Sequence, residues 1–255
     1  MPEPSKPTVI AVIPARYAST RFPGKAIAPL AGKPMAAHTY ERARQASLVD
    51  HTIVATEDER VIEALKAWDI PCELTRADHP SGTDRIAEVA ARLDADILVN
   101  VQGDEPLIAP ETIDAVIRPL LDEPDISMAT ARRRLTSPES IQDPNIVKVV
   151  TDRRGRALYF SRWPIPYVRD DADADGGHTH WQHIGLYAYR RGFLIEYANM
   201  PPTPLELLER LEQLRALENG YDIAVVETTH ESIGVDTPED LELVEALLAN
   251  YERRK

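Results

Sequence analysis

The sequence predicts an α/β fold, with a doubly wound, mostly parallel sheet and a smaller antiparallel lobe. Strand-like and helical patterns alternate along the first hundred residues, which is typical of a parallel sheet built from strand–helix–strand units. The runs at 8–13 and 51–55 predict strands, and those at 35–46 and 58–68 predict helices. The mostly apolar run at 96–101 indicates a strand with both faces buried. Together these patterns favour a Rossmann-like sheet.

The pattern changes in the second half of the chain. Four strand-like runs within about 127–190 have no long helix between them, which predicts the antiparallel lobe. Leucines at every third position from 205 to 217 predict one amphipathic helix. Thr237 and Pro238 are typical of an N-cap and a first helical turn. Since no repeat or linker interrupts these patterns, residues 1–255 are predicted to form a single domain with the lobe inside it.

The composition is that of a globular protein with an acidic balance. The chain has 29 Lys and Arg against 42 Asp and Glu, which gives a net charge of −13. Because sequence-independent nucleic-acid binding depends on cations that neutralise phosphates, this balance argues against a nucleic-acid partner. Cys72 is the one cysteine, the N-terminus lacks a signal-peptide pattern, and no run of about 18 apolar residues occurs. The sequence therefore predicts a cytoplasmic protein with no membrane partner.

A cationic loop follows the first strand directly. Residues 14–25 carry Arg16, Arg21 and Lys25 among Pro and Gly, and such loops at the carboxyl ends of parallel strands bind ligands in open α/β sheets. Three cations and the backbone N–H groups of the loop could hold a triphosphate. Ala26 follows Lys25 where a Walker loop needs Ser or Thr, so this is a different type of loop. The loop alone is equally consistent with a solvated basic surface.

Two aspartates far apart in the sequence are candidate metal ligands. Asp104 comes shortly after the buried strand, at the ligand-binding edge of the sheet, although an Asp after Gly is more often a turn residue. Asp236 precedes Thr237, and because Thr237 already suits the helix cap, Asp236 is not needed there. Mg²⁺ takes a few hard oxygen ligands and completes its shell with water and substrate phosphates. Two aspartates that meet over a triphosphate would suit Mg²⁺.

Other polar residues allow structural or functional interpretations. Ser81 precedes a helix and could simply cap it. His183 and Tyr187 lie four residues apart on an apolar strand, so their side chains point to the same face. Glu212 and Gln213 interrupt the leucine pattern, on a side of the helix that would face solvent by default. Taken one at a time, each of these residues favours a structural role.

Several histidines lie in or beside the polar segment 170–180. His178, His180 and His183 have a spacing that zinc sites use, and the segment also holds four aspartates. Without cysteine partners, loop histidines are weak indicators of a zinc site. A solvated, flexible loop is the favoured interpretation, with zinc as a minor alternative.

The cationic loop belongs to a set of motifs. The stretch IPARYASTRFPGK (13–25) resembles the opening of the 3-deoxy-manno-octulosonate cytidylyltransferases, also called CMP-Kdo synthetases. VNVQGDEPLI (99–108) and GVDTPEDLE (234–242) resemble later blocks of that family. Further similar blocks, in the family's order, are TRADHPSGTDRIAEV (75–89), ALYFSR (157–162), HIGLYAYR (183–190) and LEQLRALE (211–218). The resemblance spans nearly the whole chain and implies a nucleotide-diphospho-sugar transferase-like fold.

The resemblance also implies an activity and its reactants. Such enzymes transfer CMP from CTP to the anomeric 2-hydroxyl of 3-deoxy-D-manno-octulosonate and release pyrophosphate, which activates the sugar acid for lipopolysaccharide synthesis. They use Mg²⁺ and are typically homodimers. Phosphoryl-type transfer depends on positioning and electrostatics more than on a nucleophilic side chain, so neither a covalent intermediate nor a general base is assigned.

Individual residues take roles from the same resemblance. Asp104 and Asp236 would bind Mg²⁺, and Arg16 and Lys25 would act with them in catalysis. Nucleotide contacts are implied for Pro14, Ala15, Arg16, Ser19, Arg21, Lys25, Arg76, Ser81, Gly82, Thr83 and Arg85. Sugar contacts are implied for Gln102, Arg162, His183, Tyr187, Glu212 and Gln213.

Three alternatives to this activity remain open at the level of the sequence. The nearest is a cytidylyltransferase for a related acidic sugar, such as an amino-substituted Kdo or a sialic acid, although the motifs fit the Kdo family better. Loss of Asp104 or Asp236 would favour a non-catalytic nucleotide-binding module, yet both aspartates are present. A dense cluster of His and Asp ligands would indicate a metal-dependent phosphohydrolase, and the sequence has no such cluster.

Overall fold

Nine strands of the described residues form one central sheet. The computed structural model describes residues 6–18, 22–169 and 180–252, the last three by their backbone only. The strands of the sheet are β1 (Val9–Pro14), β4 (His51–Thr56), β5 (Cys72–Leu74), β6 (Ile97–Asn100), β7 (Met128–Leu135), β8 (Lys148–Thr151), β9 (Ala157–Ser161), β10 (His180–Arg190) and β11 (Ile223–Glu227). A separate antiparallel ribbon pairs β2 (Pro29–Leu30) with β3 (Lys33–Pro34).

The central sheet is mostly parallel, with one reversed strand in its middle. The order across it is β5-β4-β1-β6-β10-β7-β11, and β10 is antiparallel to both β6 and β7. The hairpin of β8 and β9 joins the first half of β10 through an antiparallel pairing of Gln182 with Lys148. The strands within 127–190 are thus antiparallel as predicted, but β7 and β10 continue the central sheet instead of forming a separate layer beside it. The division into one domain with an internal lobe stays a prediction.

Helices cover both faces of the sheet. Ile13 and Val116 belong to one buried hydrophobic cluster, while Val12 belongs to another with Ile86 and Phe193. The two clusters lie on opposite faces, because successive side chains of a strand point in opposite directions. This arrangement confirms the doubly wound α/β class. The helices are α1 (Met35–Arg44), α2 (Glu59–Lys66), α3 (Gly82–Arg92), α4 (Pro110–Asp122), α5 (Pro138–Gln142), α6 (Arg191–Ala198), α7 (Pro204–Glu209), α8 (Leu214–Glu218) and α9 (Pro238–Glu252), with a 3-10 turn at Lys25–Ile27.

The prediction of one leucine-rich helix over 205–217 is wrong. The chain forms two short helices, α7 and α8, separated at Arg210, whose φ of 56° lies in the left-handed region. A spacing of three residues falls about 60° short of a full helical turn, so leucines at this spacing drift around a straight helix. The break lets Leu211 and Leu214 turn into the core, while Leu208 stays 80% exposed. An ion pair of 2.5 Å between Arg215 and Glu206 joins the two helices.

Candidate active site

A cleft of about 380 Å³ opens at the carboxyl ends of β1 and β6. Its floor is formed where Pro14, at the end of β1, meets the loop after β6 at Gly103. A Cβ atom at Gly103 would come within 2.6 Å of the Pro14 carbonyl oxygen, so the close approach of these two loops requires glycine. The cleft therefore lies at the edge where open α/β sheets bind ligands, as predicted.

Lys25 and two aspartates form an ionic cluster in this cleft. Lys25 Nζ lies 2.8 Å from Asp104 Oδ2 and 3.1 Å from Asp236 Oδ1. The two aspartates come from opposite ends of the chain, and a hydrogen bond of 2.8 Å from Val235 N to Asp104 O holds their segments together. Burial opposes the charged form of Lys25, but the two carboxylates outweigh it and raise the pKa of the ammonium above its ordinary value. The aspartates therefore converge on one cationic position.

This pair of carboxylates fits a hard divalent cation. An ammonium group already lies between Asp104 and Asp236, which shows that both carboxylates can face one positive centre. Mg²⁺ usually takes one or two protein carboxylates together with water and substrate phosphates. A metal held by only two protein groups needs no larger ligand cluster, and none of three or more His, Cys, Asp or Glu occurs in the described residues.

The loop after β1 places its cations by backbone contacts. Tyr17 N donates to Glu57 Oε1 at 3.0 Å, and Gly24 N donates to Tyr17 O at 2.9 Å. Gly24 has a φ of 73°, which suits glycine at the turn into the 3-10 helix that carries Lys25. Arg16 lines the cleft and donates from Nη2 to His79 O at 3.3 Å. The loop is therefore part of the cleft wall.

The residues expected to contact the nucleotide divide into two groups. Pro14, Ala15, Arg16, Lys25 and Gly82 line the cleft. The others lie elsewhere among the described residues or outside them. Ser81 caps α3 in a reciprocal pair with Asp84, Thr83 lines the neighbouring pocket, Arg76 is exposed and pairs with Asp78, Arg85 is buried against Glu57 and Thr75, and Ser19 and Arg21 lie outside the described residues.

A second pocket of about 190 Å³ adjoins the first and shares Gly82 and Gln102 with it. Tyr187 from β10 and Glu212 and Gln213 from the α7–α8 junction line its walls. Tyr187 is about 25 residues away in sequence from the adjacent pair Glu212 and Gln213, yet the strand and the junction converge here. Four of the six residues expected to contact the sugar, counting Gln102, therefore meet in one pocket.

Gln213 carries an unpaired polar atom in this pocket. The residue is only 4% exposed, and its Nε2 has no hydrogen-bond partner in the described part of the chain. A buried donor without a partner costs about 1–3 kcal/mol, so a ligand that supplies an acceptor oxygen would recover that cost. Burial also raises the pKa of the Glu212 carboxyl, against hydrogen bonds from Thr83 and Ser81 that lower it. The pocket thus offers polar groups of a kind that recognise hydroxyl and carboxylate groups.

His183 and Arg162 are not among the described residues that line this pocket. The ring of His183 is 5.4 Å from that of Tyr187, on the same face of β10 as predicted, and Nε2 lies 3.0 Å from Thr130 Oγ1. Burial lowers the pKa of His183 to about 3, so the ring is neutral. Arg162 donates to the carbonyl oxygens of Glu209, Pro144 and Arg210, and it holds the α7–α8 junction by these bonds.

Asn100 is a pocket residue that was not predicted from the sequence. It is buried at the end of β6, and its Oδ1 accepts a hydrogen bond of 3.2 Å from Gln102 Nε2. Tyr189 and Tyr197 also line the pocket, with ring centroids 6.2 Å apart. The available signal for Asn100 was an amide in an otherwise apolar strand, because a buried amide needs partners. The tyrosines gave no signal beyond that of core residues.

The histidines considered for zinc do not converge in the described residues. His180 Nε2 lies 3.1 Å from Pro166 O, whereas His183 contacts Thr130. His178 and the four aspartates of the segment lie outside the described residues. These positions give no support to a shared metal site of His180 with His183.

A cationic cleft with paired carboxylates, open to a second polar pocket on a doubly wound sheet, defines a nucleotidyltransferase site. The sequence profile of the cytidylyltransferase family matches residues 10–227. The 3-deoxy-manno-octulosonate cytidylyltransferase of Pelobacter propionicus is 59% identical over 91% of this chain and 94% of its own length. That of Geobacter metallireducens is 57% identical over 96% of this chain and 99% of its own. The chain belongs to the 3-deoxy-manno-octulosonate cytidylyltransferase family.

Solved structures agree with this placement. A structure of CMP:2-keto-3-deoxy-manno-octonic acid synthetase complexed with CTP is 43% identical, covers 96% of this chain and 99% of its own, and superposes with a TM-score of 0.91. A cytidylyltransferase from Leptospira borgpetersenii, 18% identical with a TM-score of 0.62, shares the fold. The family resemblance and the nucleotidyltransferase class predicted from the sequence are confirmed, and the alternative activities are not favoured. In the described part of the chain, no helix is both long enough and apolar enough to cross a membrane.

Proposed function

We propose that this chain transfers CMP from CTP to the anomeric 2-hydroxyl of 3-deoxy-D-manno-octulosonate and releases pyrophosphate. The observation that carries the proposal is the continuity of the two pockets through Gly82 and Gln102. One pocket presents cations and carboxylates, and the other presents buried amide, carboxyl and phenol groups. A triphosphate in the first would bring its α-phosphorus towards a sugar acid in the second. Family membership and the similarity to the CTP-complexed synthetase support the choice of both substrates.

The cations of the cleft bind the nucleotide in this proposal. Arg16 and Lys25 meet the phosphates of CTP, and Lys25 exchanges its ion pairs with Asp104 and Asp236 for the phosphates. Charge-assisted contacts of this kind are about twice as strong as neutral hydrogen bonds. Gly82 at the start of α3 leaves room for close approach of the ligand, since no side chain projects there.

Asp104 and Asp236 would hold Mg²⁺ in the loaded enzyme. The bound ion would neutralise charge on the phosphates and orient the α-phosphate and the acceptor hydroxyl. The two carboxylates lie close together without the ion, because the Val235–Asp104 hydrogen bond joins their segments. Two protein ligands agree with the preference of Mg²⁺ for a shell completed by waters and substrate oxygens.

The reaction needs no nucleophile from the protein. The sugar hydroxyl oxygen forms a bond to the α-phosphorus, the bond from that phosphorus to the bridging oxygen breaks, and pyrophosphate leaves with the electron pair. The chain contributes position and electrostatics, the terms that dominate phosphoryl-type transfer. The hydroxyl proton leaves to solvent or phosphate, and no side chain is assigned as its acceptor.

A pyrophosphate-release assay across four nucleoside triphosphates and a panel of sugar acids tests the proposal. Release should require CTP and be highest with 3-deoxy-D-manno-octulosonate, with an amino-substituted Kdo and a sialic acid as the comparison sugars. A higher kcat/KM for one of those sugars would reassign the acceptor. Equal use of a purine triphosphate would contradict the nucleotide assignment.

Arg16→Met and Lys25→Met should each weaken CTP use by at least about tenfold, since a charge-assisted contact is worth about 1.5–3 kcal/mol. CTP titration by calorimetry measures the effect. Lys33→Met is the matched control, because Lys33 is ion-paired to Glu41 at 2.7 Å and lies outside the cleft. If both cleft variants bind CTP like the control, the loop is only a solvated basic surface.

Three further properties follow from the family and belong to the same proposal. The product would feed a glycosyl transfer in lipopolysaccharide synthesis, which is the purpose of an activated Kdo. The enzyme would act in the cytoplasm, where CTP is made. It would act as a homodimer, and the molecular mass in solution measured by light scattering checks this assembly.

A further inference from the structure

Thr130 makes an unusual set of contacts across the boundary between β7 and β10. Its side chain is fully buried. Its Oγ1 lies 3.0 Å from His183 Nε2, 3.0 Å from Ile184 O and 2.8 Å from Leu186 O. All three partners belong to β10, so one hydroxyl group fixes three positions of the neighbouring strand.

These contacts lie at a bulge in β10. Ile184 pairs with Ala131 and Tyr187 pairs with Thr130, so two residues of β10 between them have no counterpart on β7. A bulge bends the strand and changes the direction of the side chains that follow it. Tyr187, the first paired residue after the bulge, lines the sugar pocket. His183, just before it, lies with its ring 5.4 Å from that of Tyr187. The bulge therefore separates two residues expected to serve the sugar.

The hydroxyl of Thr130 also constrains the proton on His183. A hydroxyl has one proton to donate, and here two carbonyl oxygens compete for it. The largest number of bonds forms when Thr130 donates to a carbonyl and accepts a hydrogen bond from His183 Nε2–H. That arrangement leaves His183 Nδ1 as an acceptor. Burial keeps the ring neutral by lowering its pKa to about 3, in agreement with a single ring proton.

We propose that Thr130 is a positioning residue for the sugar half of the site, because it holds the β10 bulge and the ring of His183 in the orientation that the pocket needs. This inference rests on the proposed function, since it takes the pocket lined by Tyr187 and Gln213 as the sugar site. Thr130 itself lines neither pocket and acts through β10.

Thr130→Val tests the role, because valine keeps the shape of threonine and removes the hydroxyl. The variant should raise KM for 3-deoxy-D-manno-octulosonate about tenfold in pyrophosphate release, since the bulge carbonyls lose their donor. The Kd for CTP should change less than twofold. Thr130→Ser restores the hydroxyl and should return KM to within about threefold of wild type. A KM in Thr130→Ser as high as in Thr130→Val would mean that packing, and not the hydrogen bonds, matters.

Thr112→Val is the matched control for loss of a buried threonine hydroxyl. Thr112 Oγ1 bonds Thr228 Oγ1 at 2.8 Å and lines neither pocket. The Thr112→Val variant should have a lower melting temperature and an unchanged KM for the sugar. An equal rise of KM in Thr112→Val would reduce the Thr130 effect to general destabilisation.

Two further measurements separate the positioning role from the sugar pocket itself. A wild-type sugar KM in Thr130→Val overturns the positioning role. If the sugar kinetics of Gln213→Leu are also unchanged, the proposed sugar pocket is overturned as well; a raised KM in Gln213→Leu leaves the pocket standing. The ¹⁵N chemical shifts of His183 in the free enzyme should report the Nε2–H tautomer, with a change in Thr130→Val. The Nδ1–H tautomer in the wild type would contradict the hydrogen bonding on which the role depends.

Discussion

Asp104→Asn and Asp236→Asn should each lower kcat by about a thousandfold, because a metal ion contributes several kcal/mol of charge stabilisation and each 1.36 kcal/mol is about a factor of ten. Asparagine keeps the shape of the side chain and removes the charge that would hold Mg²⁺. Pyrophosphate release at saturating CTP and sugar measures the loss. Calorimetric titration of Mn²⁺ in the presence of CTP should show weaker metal binding in the same variants.

Asp114→Asn is the matched control for this result. Asp114 also accepts hydrogen bonds, from Ser47 N at 3.0 Å and Leu48 N at 2.8 Å, but it lies on α4 outside the cleft. Its variant should lose stability and keep kcat. Near-normal activity in either cleft variant, or activity of the wild type after chelation by EDTA, would contradict the metal assignment.

Gln213→Leu should reduce kcat/KM for the sugar acid by about five- to 150-fold, while CTP affinity stays at the wild-type value. The factor follows from the loss of about 1–3 kcal/mol when a buried sugar hydroxyl or carboxylate loses its donor. CTP affinity should be spared because Gln213 lines only the second pocket. The ranking of sugar acids should change as well, since specificity is a difference between affinities.

Leu217→Ala provides the comparison for damage to α8 alone. Leu217 packs against the core and lies outside both pockets, so its variant should be less stable with nearly unchanged sugar kinetics. Glu212→Gln should resemble Gln213→Leu, and Tyr187→Phe should show a smaller loss because the ring remains. If CTP affinity fell as much as kcat/KM for the sugar acid, Gln213 would have a structural role and not one in sugar recognition.

The parallel half of the fold could be predicted from the sequence because its signals are local. The strand predicted at 51–55 is found at His51–Thr56, and the helix predicted to follow Ser81 is found at Gly82–Arg92. Ser81 correctly marked the start of that helix. Its hydroxyl accepts a hydrogen bond from Asp84 N, and the Asp84 carboxylate accepts one from Ser81 N. The place of β10 between β6 and β7 could not be predicted, because strand order depends on contacts between segments far apart in the sequence.

The candidate site was predictable in part for the same reason. Lys25 and Asp104 lie in the segments that follow β1 and β6, and their meeting in the cleft follows from sheet geometry. Gln213 follows the helix break at Arg210, which the leucine pattern did not reveal, so its placement came from the family resemblance alone. Arg162 is bonded to carbonyl oxygens in the structure, an arrangement that sequence spacing does not encode.

The reversed strand in the middle of the sheet has a consequence for folding during synthesis. One edge of β6 pairs with residues 187–190, which leave the ribosome about 90 residues after β6 itself. Since β7 pairs with β10 and not with β6, its earlier synthesis does not cover that edge. At translation rates of about 5–20 residues per second, the edge stays without its partner for about 5 to 18 seconds. The nascent chain therefore passes through a stage with an open, apolar strand edge, the kind of surface that chaperones bind and that aggregation exploits.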